Sequence, residues 1–325
     1  MRSFFVSLVV ITVVVSSDAS ITSDKCKAGE KTPHFFTDIM QVPNHYCKCT
    51  SKELGTLRYR GDDRGLQICN GREFVSACGE TKTRRTKLGT KEYPVESCRY
   101  LADVDSLATS GIYYVRVGNE TTRAYCVMDT ICGESGWTML MKIDGTKRTF
   151  HYDSAYWSNH KEYNVDAVSD GLNGNSELKL KTYSHTPFTK LCVGLRNKDD
   201  LRWLPITMAQ KVDSLYSVIA PGKHVATNLG RDRWKNLVAG SSLQPNCNTE
   251  GFNVYGTWGV YVTSKARIGI IGNNENDCAS PDSRLGLGTG GRGCGTRDYS
   301  AGNEASCGGD AGNKSIVGMG FILVF

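Results

Sequence analysis

Residues 270–291, IIGNNENDCASPDSRLGLGTGG, form the part of the chain richest in side chains that could bind an ion. Asn274, Glu275, Asp277 and Asp282 place four side-chain oxygen donors within a few positions of each other. Calcium takes about six to eight oxygen ligands from carboxylates, amide carbonyls and backbone carbonyls. The stretch therefore predicts calcium as the one cofactor of the protein, held by these four residues.

A second interpretation is a turn closed by a disulfide bond. Asn, Asp, Ser, Pro and Gly are all turn formers, and Asn and Asp side chains often hydrogen-bond to their own backbone. Cys278 lies in the middle of the stretch, and Glu304 and Asp310 follow in a later segment that could complete a calcium cage. The spacing does not match an EF-hand, so the calcium site and the turn both stay open.

The glycine run at 286–291 matches the G-x-G-x-x-G pattern of a dinucleotide-binding loop. That fingerprint requires a strand before it and a helix after it. Here the following residues, RGCGTRDYSAGNEASCGG, are typical of a loop. The context argues against phosphate binding.

No motif for catalysis is present. The chain lacks G-x-S-x-G, H-E-x-x-H and a C-x-x-C pair, and its six histidines are scattered, so we predict that the protein is not an enzyme. Five aromatic residues, Tyr156, Trp157, Trp203, Trp234 and Trp258, are expected mostly in the core. One or two could line a sugar pocket, and the sequence leaves open which.

The N-terminus predicts secretion. Residues 1–19 have a basic residue, Arg2, then an apolar run over 4–15 and small residues, which is the pattern of a signal peptide. The alternative, a membrane anchor, needs about 20 apolar residues, and no stretch of the chain reaches that length. We therefore predict an extracellular protein without a membrane span.

Thirteen cysteines in an oxidising compartment predict several disulfide bonds. Two sequons, at Asn119 and Asn313, are candidate glycosylation sites. The net charge of +6 suits contact with acidic glycans and is too weak and dispersed to predict nucleic-acid binding.

The cysteine density divides the mature chain. Residues 20–78 predict a small cysteine-rich β module, in which TLRYR and LQIC form a hairpin. Residues 79–96 predict a charged linker with a candidate processing site at Arg84-Arg85. Residues 97–325 form the large domain, whose eight cysteines can all pair, while the five of the first module leave one over.

The large domain predicts more strand and loop than helix. Strands are expected at GIYYVRV, RAYCVM, WTMLMKI, KLCVGL, GVYVTS, ARIGII and GFILVF. Helices are expected at CRYLADVDSLAT and DRWKNLVAGS.

The beginning of this domain resembles a fibrinogen C-terminal domain. The resemblance rests on Ser97-Cys98, Ser110-Gly111-Ile112-Tyr113, Tyr125-Cys126-Val127-Met128-Asp129 and Gly136-Trp137-Thr138, in that order. It implies an α+β fold rich in loops and short strands, a disulfide bond between Cys98 and Cys126, and a core position for Trp137.

The second half resembles the intelectin-like branch of fibrinogen-related proteins. Asn273-Asn274-Glu275 matches a triplet that belongs to a calcium-assisted glycan site in that branch, although the histidine of that site has no match here. More narrowly, the chain resembles secreted cnidarian proteins that include skeletal organic matrix proteins of reef corals.

The resemblance implies a secreted, non-catalytic protein of the extracellular matrix, associated with biomineralisation in a skeleton. Its expected partners are extracellular glycans or matrix proteins, and a leftover cysteine could give a disulfide-linked homo-oligomer. The alternative is a lectin-like glycoprotein of defence that recognises glycans through calcium.

Overall fold

Antiparallel β-sheets make up most of the regular structure in the residues that the computed structural model describes, which are 49–60, 65–76, 88–259 and 263–325. The chain divides into two compact units, Met1–Thr86 and Lys87–Phe325. The division falls inside the predicted linker 79–96. The signal peptide 1–19 and the Arg84-Arg85 processing site lie outside the described residues, and the predicted domain boundaries stay predictions.

The first unit contains a three-stranded antiparallel sheet. Its strands, β1 (Leu57–Arg60), β2 (Gly65–Cys69) and β3 (Phe74–Ser76), pair in chain order. A disulfide bond joins Cys49 to Cys69. The predicted hairpin is confirmed by the pairing of β1 with β2, and its turn lies outside the described residues.

The second unit contains the remaining described strands. They are β4 (Gly111–Val117), β5 (Glu120–Val127), β6 (Trp137–Asp144), β7 (Leu178–Lys179), β8 (Phe188–Asn197), β9 (Asp200–Val212), β10 (Val225–Ala226), β11 (Asn246–Tyr255), β12 (Lys265–Asn273), β13 (Ser283–Gly290), β14 (Ala301–Ala305), β15 (Lys314–Val317) and β16 (Met319–Val324).

Residues 88–96, the end of the predicted linker, are hydrogen-bonded along β4. The Val95 amide donates to the Tyr114 carbonyl at 3.0 Å, and the Arg116 amide donates to the Val95 carbonyl at 2.8 Å. The side chain of Val95 is buried. Few apolar residues occur in this segment, so its periodicity gave no strand signal, yet one buried valine ties it to the sheet.

The strands of the second unit form two antiparallel sheets. One has the order β4-β5-β6-β16-β8-β9, with β7 beside β6. The other has the order β10-β11-β12-β13-β14-β15. The last strand, β16, lies between β6 and β8 and pairs with both along its length. All six of its residues are buried, as expected for a central strand.

The main hydrophobic core lies between the two sheets. Leu140, Leu191 and Ile322 come from the first sheet, and Phe252 and Ile268 come from the second. The sheets therefore share one core and hold each other's loops in place. The domain is rich in β-sheet, contains disulfide bonds and has few helices. The prediction of a large domain with more strand and loop than helix is therefore confirmed.

The described helices are short. They are α1 (Cys98–Val104), α2 (Thr182–His185), α3 (Leu215–Ile219) and α4 (Arg231–Lys235). The side chain of Ser97 caps α1 by accepting a hydrogen bond from the Tyr100 amide at 3.0 Å. Both predicted helices exist, each shorter than expected. Within the described part of the chain, no helix is long and apolar enough to cross a membrane.

Six of the seven predicted strands are confirmed, as β4, β5, β6, β8, β12 and β16. The seventh, GVYVTS at 259–264, is wrong at Gly259, Thr263 and Ser264, which lie in turns and bends, and its residues 260–262 lie outside the described residues. Gly259 at the start of this stretch and Ser264 at its end are turn-forming residues. They favour a connection between β11 and β12 over a strand.

Five disulfide bonds occur in the described residues. Besides Cys49–Cys69, they are Cys98–Cys126, Cys132–Cys192, Cys247–Cys278 and Cys294–Cys307. All eight cysteines of the large domain are therefore paired, and Cys98 bonds to the residue that the resemblance implies. The other three cysteines of the chain, Cys26, Cys47 and Cys78, lie outside the described residues.

Lys142 on β6 is a buried cation. Its side chain has no exposed surface, and its Nζ has no hydrogen-bond partner among the described residues. Burial lowers the pKa of Lys142 to about 8, an effect that Asp170 opposes and Arg196 reinforces. An unfolded lysine has a pKa of about 10.4. As the pH rises, the folded chain therefore loses this proton before the unfolded chain does. The free energy of unfolding should thus increase between about pH 8 and pH 10.

We predict that Lys142→Met increases the free energy of unfolding at pH 7 by roughly 1–3 kcal/mol, because it removes a buried charge without a hydrogen bond. The gain should shrink as the pH rises from about 8 to about 10. Urea denaturation at pH 7 and pH 10 measures both effects. The exposed Lys161→Met variant is the control, and equal effects of the two substitutions would contradict this account.

Candidate functional site

The stretch that opened the sequence analysis is a hairpin. Strand β12 enters it, residues 274–282 form the loop, and β13 leaves it. The glycine run is thus a fully buried strand. A Cβ at Gly286 would lie 2.2 Å from the Ile268 carbonyl oxygen, so only glycine lets β13 approach β12 this closely. A short 3-10 turn, Gly293–Gly295, follows the run in place of the α-helix that a dinucleotide fingerprint requires.

The loop is built from side chains that bond to its own backbone. The buried Asn273 donates from Nδ2 to the Asp277 carbonyl at 2.6 Å and accepts the Asn274 amide at 2.9 Å. The Asp277 carboxylate accepts the Ala279 amide and the Ser280 hydroxyl, which hold the pKa of Asp277 below its usual value. The Cys247–Cys278 bond joins this loop to β11. The geometry is that of a disulfide-closed turn.

Of the four predicted calcium ligands, Asp277 bonds within the turn, whereas Asn274, Glu275 and Asp282 are linked through one another and through Gln244. Asn274 accepts a hydrogen bond from Gln244 at 3.1 Å and donates one to Glu275 at 2.8 Å. Glu275 and Asp277 are exposed, whereas Asp282 is half-buried. Among the residues described by the structure, no three His, Cys, Asp or Glu side chains form a metal-binding group. The calcium site stays a prediction.

Gln244 is a functional candidate that the sequence gave no signal for. It is fully buried and donates to Asn274 and to the carbonyls of Ser306 and Cys307, each at 3.1 Å. Burial raises the pKa of the Asp282 carboxyl, and a hydrogen bond with Gln244 opposes that shift. The Gln244 Oε1 atom has no partner within the described ranges.

The two acids that could have completed a cage are engaged elsewhere. Glu304 is buried and accepts the Arg297 amide at 3.0 Å and the Ser315 hydroxyl at 2.6 Å. Asp310 forms ion pairs with Arg231 at 2.7 Å and with Lys235 at 2.5 Å. Both carboxylates stabilise the loops around β14 and β15.

Two aromatic side chains are exposed beside the turn. Trp258 is 66% exposed and Tyr255 is 48% exposed, and we call the pair the aromatic surface. The Trp258 amide donates to the Ala279 carbonyl at 2.9 Å, and this bond holds the Trp258 backbone against the disulfide-closed turn.

The other tryptophans lie inside the domain or partly so. Trp137, Trp157 and Trp234 are fully buried, and Trp203 is half-buried, as is Tyr156. The core role of Trp137 is thus confirmed, and Trp258 is the exception among the predicted core aromatics. Its signal in the sequence was the pair of turn-forming glycines around it, Gly256 and Gly259.

A pocket of about 430 Å³ adjoins the aromatic surface. Its lining combines aromatic, hydroxyl and charged side chains: Tyr152, Asp153, Tyr255, Thr257, Thr263, Lys265 and Arg267, together with Gly222 and Gly256. Aromatic rings with a few placed polar groups are the usual composition of a small-ligand site.

The cations of the pocket are held in fixed positions. The Arg267 guanidinium stacks 4.2 Å above the Tyr152 ring and donates to the Tyr152 carbonyl at 2.8 Å. Lys265 donates to the Asp153 carboxylate at 2.7 Å. Burial lowers the pKa of Arg267 and raises that of Tyr152. The pocket thus carries two cations and one carboxylate.

Both candidate glycosylation sites are exposed. Asn119 lies in the turn between β4 and β5, and Asn313 lies in the turn before β15. The positions are accessible to a glycan, and glycosylation stays a prediction.

In comparisons with models of known protein families and with curated proteins, the chain matches none. The resemblance to fibrinogen-like and intelectin-like proteins therefore rests on the motifs alone.

We predict that Asn273→Ala lowers the free energy of unfolding by about 1–3 kcal/mol, because it leaves the Asp277 carbonyl and the Asn274 amide without their partner. The matched control is Asn276→Ala, an exposed asparagine of the same loop, which should change stability by less than about 0.5 kcal/mol. Urea denaturation without reductant measures both. Equal losses would show that the loop is not organised by Asn273.

Proposed function

We propose that the protein is a secreted extracellular matrix protein whose fibrinogen-like, intelectin-like domain binds acidic glycans without catalysis. One observation carries the proposal: Tyr255 is exposed and lines a polar, cationic pocket, and Trp258 is exposed three residues farther along the chain. The predicted signal peptide and the disulfide bonds support an extracellular location.

The aromatic surface suits the apolar face of a sugar ring. Large aromatic side chains are enriched at binding sites because one side can be buried while the polar tip stays wet. The turn holds the Trp258 backbone by a hydrogen bond, so the segment that carries the indole is ordered before binding. A stacked sugar ring would therefore gain contact area without an ordering cost in the loop.

The pocket supports a preference for acidic sugars. Arg267 and Lys265 supply positive charge, while Thr257 and Thr263 supply hydroxyls for hydrogen bonds. Asp153 neutralises one of the cations, so the pocket retains a net positive charge. The excess of basic residues over the whole chain adds a favourable field for sulfate or carboxylate groups.

The alternative is a calcium-dependent lectin-like function in defence. The observation that favours it is the hydrogen bond from the Trp258 amide to the turn that carries Asp282, whose carboxylate lies beside Gln244. A calcium ion held there would place a sugar ligand beside the same aromatic surface. The two functions differ in whether binding survives chelation.

We predict that Trp258→Ala and Tyr255→Ala each weaken binding of a sulfated glycosaminoglycan oligosaccharide about tenfold or more, which corresponds to about 1.4 kcal/mol. The loss follows from the missing stacking area. Isothermal titration calorimetry with the full secreted protein measures it, and Tyr100→Ala, an equally exposed tyrosine on α1, is the control.

Chelation then separates the two functions. Binding that persists in EDTA supports the matrix proposal. Binding that disappears in EDTA and in Asp282→Asn, but not in Asp277→Asn, would favour the calcium-dependent lectin. Unchanged affinity in both aromatic variants would refute the aromatic surface as the glycan site.

Cysteine parity predicts a disulfide-linked oligomer. Ten cysteines are paired in the described residues, and the remaining three, Cys26, Cys47 and Cys78, cannot all pair with one another. We expect a dimer on non-reducing electrophoresis that becomes a monomer on reduction and in the serine variant of one of these three cysteines. Two linked domains would bind a polymeric glycan with avidity. A monomer with one titratable thiol would contradict this prediction.

A further inference from the structure

A second concave site lies between the outer strands of the two sheets. It is a groove of about 790 Å³ whose apolar lining includes Ile206, Met208, Val218, Val225, Leu229 and Phe252, and we call it the apolar groove. Ile206, Val218 and Phe252 also belong to the main core. The apolar groove is therefore the open end of that core, and its size falls in the range of small-molecule sites.

One wall of the apolar groove is held by Glu250. Its carboxylate accepts hydrogen bonds from the Thr227 hydroxyl at 2.6 Å, from the backbone amides of Leu229 and Gly230 at 3.1 and 2.8 Å, and from the Trp234 indole at 2.7 Å. These bonds keep the pKa of Glu250 below its usual value despite its partial burial. Segment 227–230 is thus fixed before any ligand arrives.

The opposite end is held by Asn253. This buried side chain donates to the carbonyls of Ile219 and Lys223 at 3.0 and 3.1 Å, which fixes the turn after α3. Pro221 and Lys223 line the apolar groove, and Gly222 between them lines the pocket beside the aromatic surface. The turn 221–223 therefore separates the two sites.

The charged residues that line the apolar groove are all cations. Lys223 and Arg233 are exposed at its rim, and neither side chain has a hydrogen bond or ion pair with another described residue. Among the described residues that line the apolar groove, none is Asp or Glu. An apolar interior with two unpaired cations at the mouth is complementary to a ligand with an apolar body and an anionic head.

We propose that the apolar groove binds a single-chain amphipathic anion, such as a long-chain carboxylate. The chain packs against Ile206, Met208 and Phe252, and the head group pairs with Lys223 and Arg233. A peptide strand added to β9 fits less well, because Pro205 in the groove wall has no amide to donate. The site is independent of glycan binding at the aromatic surface.

The test uses the full secreted protein and dodecanoate below its micellar concentration, with binding followed by isothermal titration calorimetry. We expect one saturable site, with 1-dodecanol and dodecylamine binding at least about tenfold more weakly. The double variant Lys223→Glu, Arg233→Glu should lose dodecanoate affinity at least about tenfold, because it reverses the charge at the rim. The exposed Lys161→Glu variant is the control and should bind like the wild type.

A second variant tests the position of the chain. Val225 is 39% exposed at the rim, so Val225→Asp should fold normally and should block entry of the dodecanoate chain. A midpoint of thermal unfolding equal to that of the wild type shows that each variant is folded. Equal affinities for dodecanoate and 1-dodecanol, unchanged binding in both rim variants, or binding only of apolar peptides or anionic vesicles would each overturn the proposal.

Discussion

The insertion of the last strand is the constraint on which the rest of the structure depends. Strand β16 lies between β6 and β8 and is buried along its whole length, so it closes the first sheet. One face of that sheet then forms a continuous surface, and the second sheet packs against it. Because both partners lie far from β16 in the chain, the first sheet is complete only after these non-local contacts form.

The two proposed binding surfaces lie at opposite ends of this shared core. The loop between β12 and β13, the two central strands of the second sheet, accepts the Trp258 amide, and the Trp258 side chain is 66% exposed. At the other end, the core opens between β9 and β10 as the apolar groove. Hydrogen bonds order the backbone beside both surfaces: those of Asn273 in the loop that accepts the Trp258 amide, and those of Glu250 and Asn253 beside the apolar groove. Pre-formed sites of this kind lose little entropy on binding.

The sequence predicted the strands that read as apolar runs, because β-branched and aromatic residues favour strands. It missed β13, since glycines that permit close approach look like a loop when the neighbouring strand is unknown. The predicted calcium residues lie close together in sequence, but Asp277 bonds within the turn, and the buried Gln244 beside Asn274 and Asp282 comes from a distant segment. Which tryptophan stays exposed depends on how the sheets pack, so composition could not single out Trp258.

The most direct test is hydrogen exchange of the secreted protein with and without a sulfated glycosaminoglycan oligosaccharide. We expect slower amide exchange in residues 255–259 and in the 274–282 loop when the oligosaccharide is bound, because it would cover the aromatic surface and its supporting turn together. Exchange in β9 and β10 at the apolar groove should not change. Protection confined to the apolar groove or to the first unit, or no protection at all, would contradict the claim that the aromatic surface is the glycan site.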